Sequence, residues 1–280
     1  MLVIFALITV LHMSAQKESA SKLLDDETVP HGTIHHHVYT TRIAVNLPRG
    51  QEDFYVYTPP GYDPQSSTLY PVFYLLHGYD QNALSWQTHG RAQAILDELI
   101  SRGKARPMIV VMPYCYGDYR FFRAREPVWL SPSKINENVN LFSRMLLAEI
   151  VPQVEANYKV SKKREDRAIA GLSMGGREAL TIGLKNLDEF SWIGGFSAAF
   201  PDIEPVRVAV INPETADLRL IWIACGVEDK DFIFKKNMRL AARLEQVGLP
   251  VTTVVTPGQH DWPVWRDNLK QFVPLLFQSK

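Results

Sequence analysis

A short glycine-rich motif in the second half of the chain could carry a catalytic nucleophile. It reads Gly171-Leu-Ser173-Met-Gly175 and is followed by a further glycine. An apolar run typical of a strand, residues 167–172, precedes the serine, and a helical pattern follows it. A serine at such a strand-to-helix turn is exposed at a helix N-terminus, where the helix dipole favours developing negative charge. The glycines avoid a collision with the neighbouring turn. We expect Ser173 to be a nucleophile, and a purely structural glycine-rich turn is the alternative.

A serine nucleophile needs a base, and the base needs a carboxylate that orients it. After this type of turn the acid and then the histidine follow the serine along the chain, each at the end of a late strand. His260 is the only histidine after the motif, so it is the expected base. Asp229 is the expected acid and Glu228 its main rival, with Asp231 and Asp261 as further candidates.

Two backbone N–H groups are expected to stabilise the charge that develops on the substrate oxygen. One belongs to Met174, directly after the nucleophile, and the other to Tyr79, in the loop after an early apolar strand. His77 in that loop is expected to hold the loop in place rather than to act as a second base. No metal or cofactor is predicted, because the two cysteines lack Cys-x-x-Cys spacing and the run His35-His36-His37 alternates between the faces of a strand.

Strand and helix patterns alternate along the chain and must position these residues. Short strands are expected at 35–46 and 53–57, and buried strands at 70–76, 108–112, 167–172, 192–198, 218–224 and 251–255. Helices are expected at 91–100, 139–158 with a bend or restart at Pro152, 175–187, 232–247 and 262–277. This order predicts an α/β fold with an open, mostly parallel twisted sheet and helices on both faces. Irregular insertions are expected at 114–138 and 200–217, on the side where such sheets build their active sites.

Composition narrows the functional classes further. The 280 residues include 30 basic and 30 acidic side chains, and 46% of the chain is hydrophobic. This hydrophobic fraction excludes a disordered or fibrous protein. The balanced charge argues against a nucleic-acid partner and against an electrostatic membrane anchor.

The N-terminus predicts export. Residues 2–11 form a nearly unbroken apolar run that is too short to span a bilayer but is typical of a signal-peptide core. We expect a signal peptide at 1–15, a leader at 16–30 and one domain at 31–280, with a secreted or periplasmic product that is not inserted in a membrane. An uncleaved anchor or a misplaced start codon is the alternative.

Five motifs together resemble a known family. They are Tyr55-Val-Tyr-Thr-Pro-Pro-Gly-Tyr62, Tyr74-Leu-Leu-His-Gly78 with Trp86 beyond it, Ala168-Ile-Ala-Gly-Leu-Ser-Met-Gly-Gly176, Ile223-Ala-Cys-Gly226 and His260-Asp-Trp262. The chain is similar to the esterase group of α/β-hydrolases, and most similar to the feruloyl and acetylxylan esterases of carbohydrate esterase family 1. The resemblance implies the α/β-hydrolase fold with antiparallel N-terminal strands. It also implies an acid three positions after the strand-ending glycine, which is Asp229.

The resemblance implies a serine carboxylesterase that removes feruloyl or acetyl groups from plant polysaccharide such as xylan, or from a small acyl ester. An acyltransferase with a sugar acceptor and an S-formylglutathione-hydrolase-like esterase are the alternatives. Trp86, Tyr114 and Trp262 are the expected substrate-binding residues. The aromatic side chains of the 114–138 insertion either bind the substrate or pack the insertion onto the sheet, and its arginines either meet a carboxylated substrate or form a solvated face.

Overall fold

The computed structural model describes residues 28–47, 49–123, 131–199 and 218–278. The expected signal peptide at 1–15, most of the leader at 16–30 and the insertion at 200–217 lie outside the described residues.

In the described part of the chain, eight strands form one sheet in the order β1-β2-β4-β3-β5-β6-β7-β8. The strands are β1 (Thr33–Thr40), β2 (Gln51–Thr58), β3 (Val72–Leu76), β4 (Ile109–Pro113), β5 (Arg167–Leu172), β6 (Trp192–Phe196), β7 (Leu220–Gly226) and β8 (Val251–Thr256). β1 pairs antiparallel with β2, and β2 pairs antiparallel with β4. The remaining pairs are parallel. The predicted mostly parallel sheet with antiparallel N-terminal strands is therefore confirmed.

The sequence of each strand reflects its position in the sheet. β3, β4, β5, β6 and β7 are buried along their whole length, as parallel strands covered on both faces must be. The edge strand β1 carries three consecutive histidines and is mostly exposed or half-buried. Polar side chains are tolerated there because one edge of β1 faces away from the sheet.

Helices cover both faces of the sheet. They are α1 (Ser85–Thr88), α2 (Ala92–Ser101), α3 (Tyr119–Arg123), α4 (Pro132–Met145), α5 (Val151–Asn157), α6 (Ser173–Lys185), α7 (Asp231–Gln246) and α8 (Trp262–Phe272). Short 3-10 turns lie at Arg164–Asp166 and Val273–Leu275. Apolar residues of α4, α5, α6 and α7 pack in one core, and those of α2 and α8 pack in a second core on the opposite face.

The long central helix differs from the prediction. It begins at Pro132 rather than at residue 139, with Ser131 as its extended N-cap residue, so the predicted insertion at 114–138 already contains the start of this helix and all of α3. Proline suits the first helical turn because its missing N–H would have no partner there. The interruption expected at Pro152 is a π-helical segment, Leu146–Ile150, that precedes the proline. Pro152 cannot donate to the carbonyl four residues back, and the wider turn adjusts the backbone around that missing bond.

The loops at the carboxyl ends of β3, β5, β7 and β8 carry the predicted catalytic residues. The residue after β5 is Ser173, Asp229 follows β7 by three positions, and His260 follows β8 by four. Parallel strands end at the same edge of a sheet, so this topology gathers the three side chains from distant parts of the chain.

Candidate active site

The nucleophile turn combines an uncommon backbone conformation with a very close helix-to-strand contact. Ser173 has a φ of 50°, in the left-handed region that few non-glycine residues adopt. A methyl group added to Gly175 would lie 2.3 Å from the carbonyl oxygen of His77 at the end of β3. One added to Gly171 would lie 2.6 Å from the backbone of Gly175. Only glycine fits at either position, which is the physical reason for the spacing of the motif.

The three expected catalytic side chains form a continuous hydrogen-bonded chain. The Ser173 hydroxyl lies 2.9 Å from Nε2 of His260, within donating distance. On the other side of the ring, Nδ1 of His260 lies 2.9 Å from Oδ2 of Asp229. With the proton on Nδ1, Nε2 is left as an acceptor facing the serine, as general-base catalysis requires.

Asp229 lies in a buried environment that keeps it ionised. Burial acts to raise the pKa of its carboxyl group, but the hydrogen bond and charge attraction from His260 outweigh burial, and the pKa is lowered overall. The N–H of Lys230 adds a 2.6 Å hydrogen bond to Oδ1. An anionic carboxylate is therefore available to stabilise a protonated histidine.

The other acidic candidates lie elsewhere. Glu228 is exposed, and Asp231 is exposed and paired with Lys235 at 2.7 Å. Asp261 is the N-cap residue of α8, where its side chain accepts a hydrogen bond from the N–H of Val264. The geometry thus brings Asp229 to His260 and uses Asp261 for a structural cap.

The two expected oxyanion donors both belong to residues that line one cavity with Ser173 and His260. Met174 lies in the first turn of α6, where backbone N–H groups have no carbonyl one turn before them. Tyr79 lies in the loop after β3, and the close contact between Gly175 and His77 holds that loop against α6.

His77 is built into this loop as a neutral hydrogen-bonding group. The N–H of Cys115 donates to Nε2 at 3.2 Å, so the ring proton must be on Nδ1, from which it is donated to the carbonyl of Gly78 at 2.8 Å. Complete burial lowers the pKa of His77 to about 4. These contacts fit the expected supporting role and leave no free nitrogen for a second base.

The catalytic cavity has a volume of about 320 Å³ and is largely apolar. Its apolar side chains come from α3, α4, α6, α7 and α8: Phe121, Ile135, Met174, Phe232, Ile233 and Trp265. Arg177 and Lys230 add cationic groups to its wall. A space of this size and character can hold an acyl group with a ring, next to the serine hydroxyl.

The structure rules out Trp86 as a substrate-binding residue and places Trp262 and Tyr114 outside the catalytic cavity. Trp86 is fully buried, and its indole N–H donates to the carbonyl of Leu76 at 2.9 Å, so it supports β3 from below and cannot contact a substrate. Trp262 packs edge-to-face against Trp86 and does not line the catalytic cavity. Tyr114 lines a neighbouring cavity instead.

Sequence reasoning missed two aromatic residues that line the catalytic cavity, Trp265 and Phe232. Trp265 lies one helical turn beyond Trp262 and packs edge-to-face on His260 at 5.0 Å between ring centroids. Phe232 is 44% exposed at the start of α7, three positions after Asp229. Both residues lie in the first turn of the helix that follows a catalytic loop. Such a position is near the same edge of the sheet, so the distance from His260 and Asp229 along the chain could have indicated them.

The two cysteines are buried, and each of the three consecutive histidines contacts a neighbouring side chain. Cys115 and Cys225 are free and buried. The ring of His35 contacts the Thr58 hydroxyl at 3.1 Å, and His36 contacts the Asp53 carboxylate at 3.0 Å. His37 contacts the hydroxyl of Tyr158, the residue directly after α5. Among the described residues, no group of three or more His, Cys, Asp or Glu side chains is arranged to hold a metal ion.

Comparison with known proteins places the chain in a family. The sequence model described as "Putative esterase" matches residues 48–276, which include the nucleophile turn and both of its partners. The chain therefore belongs to this esterase family, with an α/β-hydrolase fold.

Individual relatives agree with this assignment. The chain is 30% identical over 233 residues to the "Endo-1,4-beta-xylanase/feruloyl esterase" of Xylanibacter ruminicola, covering 80% of this chain but only 29% of that protein. It is 25% identical over 229 residues to an "Acetyl esterase" of Caldicellulosiruptor saccharolyticus, covering 69% of this chain and 78% of the relative. Among solved structures, the CE1 ferulic acid esterase of the anaerobic fungus Anaeromyces mucronatus superposes with a TM-score of 0.74 at 26% identity, covering 90% of this chain and 93% of that one.

Within the residues described, no helix is both long enough and apolar enough to cross a bilayer.

The contact between Gly175 and the end of β3 yields a first prediction. We expect Gly175→Ala to lower both thermal stability and esterase activity strongly, because the added methyl group collides with backbone that cannot move aside. Gly103→Ala is the control: that glycine has a φ of 65° but open space around it, so alanine there costs only the left-handed backbone strain of about 1 kcal/mol. Thermal melts and aryl-ester assays of both variants make the comparison. An equal loss of stability in the two would refute a steric requirement at Gly175.

Proposed function

We propose that this protein is a serine carboxylesterase that hydrolyses feruloyl-type esters on plant cell-wall polysaccharide such as xylan. The single observation that carries the proposal is the hydrogen-bonded chain from Ser173 through His260 to Asp229, at the mouth of an apolar cavity. The family assignment and the names of the relatives support the ester chemistry and the class of substrate.

The geometry supports a two-step reaction through an acyl-enzyme. His260 takes the hydroxyl proton as Ser173 Oγ attacks the ester carbonyl, and Asp229 stabilises the imidazolium that forms. His260 then gives the proton to the departing alcohol oxygen, so the sugar leaves as a neutral alcohol. A water molecule, activated by the same histidine, hydrolyses the acyl-enzyme and releases the acid.

The oxyanion of each tetrahedral intermediate is assigned to the N–H groups of Met174 and Tyr79. Both residues line the cavity, and the positive end of the α6 dipole adds to their effect. These donors are fixed by the fold before substrate binds, because the α6 turn and the β3 loop contact each other through Gly175 and His77.

The apolar cavity favours a ring-bearing acyl group over acetyl. Aromatic and branched side chains from four helices face a space of about 320 Å³, most of which an acetyl group would leave unfilled. A phenylpropenoyl group places its ring against Phe121, Phe232 and Trp265 and gains hydrophobic free energy from their burial.

Export is part of the proposal, because an enzyme meets cell-wall polysaccharide outside the cell. The apolar run at residues 2–11 supports a signal peptide and hence a secreted or periplasmic protein. The two remaining alternatives, an acyltransferase with a sugar acceptor and an S-formylglutathione-hydrolase-like esterase, have no observation of their own in the described site.

Replacement of the nucleophile gives a second prediction. Ser173→Ala removes the attacking oxygen and should lower kcat on an aryl ester by about 10⁴-fold or more. Ser133→Ala, at an exposed position of α4, is the matched control and should keep wild-type activity. Both proteins should melt at similar temperatures. Substantial turnover by a folded Ser173→Ala protein would exclude the proposed mechanism.

The identity of the acid is tested by a third pair of variants. Asp229→Asn keeps the shape of the side chain but removes its charge. With Oδ1 held by the Lys230 N–H, the new NH₂ group faces Nδ1 of His260 and favours the wrong tautomer, so kcat should fall about 10³- to 10⁴-fold. Glu228→Gln, one residue earlier and exposed, should change kcat by less than about twofold. If the two variants lose activity to the same extent, or if Glu228→Gln is the more damaging, Asp229 is not the acid.

A fourth prediction concerns the acyl group. Methyl ferulate should have a kcat/KM about 50- to 100-fold above that of methyl acetate, since burying roughly 100 Å² of ring surface gives about 2.5 kcal/mol. Phe232→Ala should reduce this preference by acting on ferulate much more than on acetate. The measurement is initial-rate hydrolysis of the two esters by both proteins. A preference for acetate would assign the cavity to another role.

A further inference from the structure

A second cavity, larger than the catalytic one, lies on the β2 side of the oxyanion loop. Its volume is about 570 Å³. The side chains used in the argument below are Glu52, Asp53, Tyr55, Asn82, Tyr114 and Tyr119. The reaction proposed above uses none of them.

The two cavities are neighbours separated by one loop. Residues 78–81 line the catalytic cavity, and residues 82–84, directly following, line the second one. Helix α3 likewise contributes Phe121 to the catalytic cavity and Tyr119, two residues earlier, to the second. A substrate long enough to pass this loop can therefore reach both spaces.

The second cavity is lined by Glu52, a buried carboxyl group of which one oxygen makes no hydrogen bond. Glu52 is 7% exposed, and its Oε1 atom makes no hydrogen bond. Tyr39 stands opposite Glu52 in the β1–β2 register, but the buried Tyr39 hydroxyl makes no hydrogen bond either. A buried polar atom in this state is destabilising, so a ligand hydroxyl that gives the Glu52 carboxyl group a further partner is favoured.

Glu52 is suited to a neutral ligand. Burial, with a smaller contribution from the charge of Asp53, raises the pKa of its carboxyl group to about 8. The protonated group can donate one hydrogen bond and accept another, which is the pattern that a sugar hydroxyl offers. A metal ion is not indicated, because no cluster of three ligating side chains occurs in the described part of the chain.

The rest of the wall combines aromatic rings with hydrogen-bonding groups. The ring of Tyr55 is held by stacking on His36, with centroids 4.4 Å apart and an interplanar angle of 10°. Tyr114 is fixed to β2 because its N–H donates to the carbonyl of Asp53 at 3.1 Å. Rigid rings can pack against the C–H face of a sugar, while the Asp53 carboxylate and the Asn82 amide bind its hydroxyl groups.

We infer that the second cavity binds sugar residues of the neutral polysaccharide chain whose ester group occupies the catalytic cavity. The identity of the sugar is inferred from the proposed esterase function. Binding of an oligosaccharide without an acyl group can be measured whether or not the protein is an esterase. The oxyanion loop would then separate the acyl side of the substrate from its carbohydrate side.

The binding test uses xylotetraose, a neutral oligosaccharide without an ester, and isothermal titration calorimetry on the wild-type protein. We expect saturable binding that Tyr55→Ala weakens at least tenfold. Tyr70→Ala is the matched control, since Tyr70 is also half-buried but belongs to neither cavity, and it should bind as wild type does. Tetragalacturonate, of the same length but anionic, should bind no more tightly, since Asp53 offsets the charge of Arg49 in the wall. Absence of xylotetraose binding, or tighter binding of tetragalacturonate, would overturn the inference.

Two substitutions of Glu52 separate a hydrogen-bonding role from a structural one. Glu52→Gln keeps a neutral donor and acceptor and should retain xylotetraose affinity within about threefold. Glu52→Leu removes both and should weaken binding at least tenfold. Its melting temperature should not fall, because it replaces a carboxyl group whose Oε1 makes no hydrogen bond. Equal affinities of the two variants, or a loss of binding that follows a loss of stability, would contradict the assignment.

A kinetic comparison links the two cavities. For Tyr55→Ala, the ratio of kcat/KM on a feruloylated oligosaccharide to that on methyl ferulate should fall about tenfold, mainly through KM. The two proposals fail in different ways. Ester hydrolysis without xylotetraose binding would refute the sugar site but not the esterase function. Xylotetraose binding without ester hydrolysis would refute the esterase function but not the sugar site. An unchanged ratio in Tyr55→Ala would also refute the sugar site.

Discussion

The contact between the first turn of α6 and the end of β3 is the constraint on which the active site depends. At Gly175 the helix approaches the His77 carbonyl so closely that a single methyl group would stand 2.3 Å from it. This approach fixes two things at once: the direction in which Ser173 leaves β5, and the distance from the serine to the loop that carries Tyr79. The left-handed φ of Ser173 is sustained because packing on both sides determines it. The proposed nucleophile and its proposed oxyanion donors are thereby held in one rigid unit, while His260 and Asp229 are added from later strands.

Buried titratable groups around the active site are held in different protonation states. His77 is kept neutral, and Asp229 is kept ionised by its bond to His260. Glu178, completely buried on α6, has its pKa raised to about 8 by burial and accepts a 3.0 Å hydrogen bond from the Asn138 amide. With His77 and Glu178 kept neutral, the ionised Asp229 carboxylate is the negative charge bonded to His260. That arrangement favours formation of the imidazolium, while Arg177 and Lys230 supply positive charge in the cavity wall.

The strands and the meeting of Ser173, His260 and Asp229 could be predicted because they depend on local pattern and chain order. β5 is predicted with its observed bounds, since it is a buried apolar run that ends at a glycine turn. The start of α4 and the side chains that line the cavity could not be predicted in the same way, because they depend on tertiary packing. Trp86 and Trp265 are both tryptophans near a catalytic loop, yet one is fully buried under β3 and the other lines the cavity. Sequence does not distinguish these two environments, since helical spacing gives the face of a residue but not what covers that face.

The loop at residues 78–84 lines both cavities. It supplies Tyr79 to the catalytic cavity and Asn82 to the second cavity, so a sugar chain bound beside Asn82 would contact the same short segment that carries an oxyanion donor. Binding energy from the non-reacting part of a substrate raises kcat only when it is used at the reacting carbonyl, and otherwise it lowers KM. The contact between Gly175 and the His77 carbonyl already fixes the loop before substrate binds, so a sugar beside Asn82 leaves the position of residue 79 unchanged. A feruloylated oligosaccharide and a small ester therefore meet the same preformed loop, and what the sugar adds is affinity.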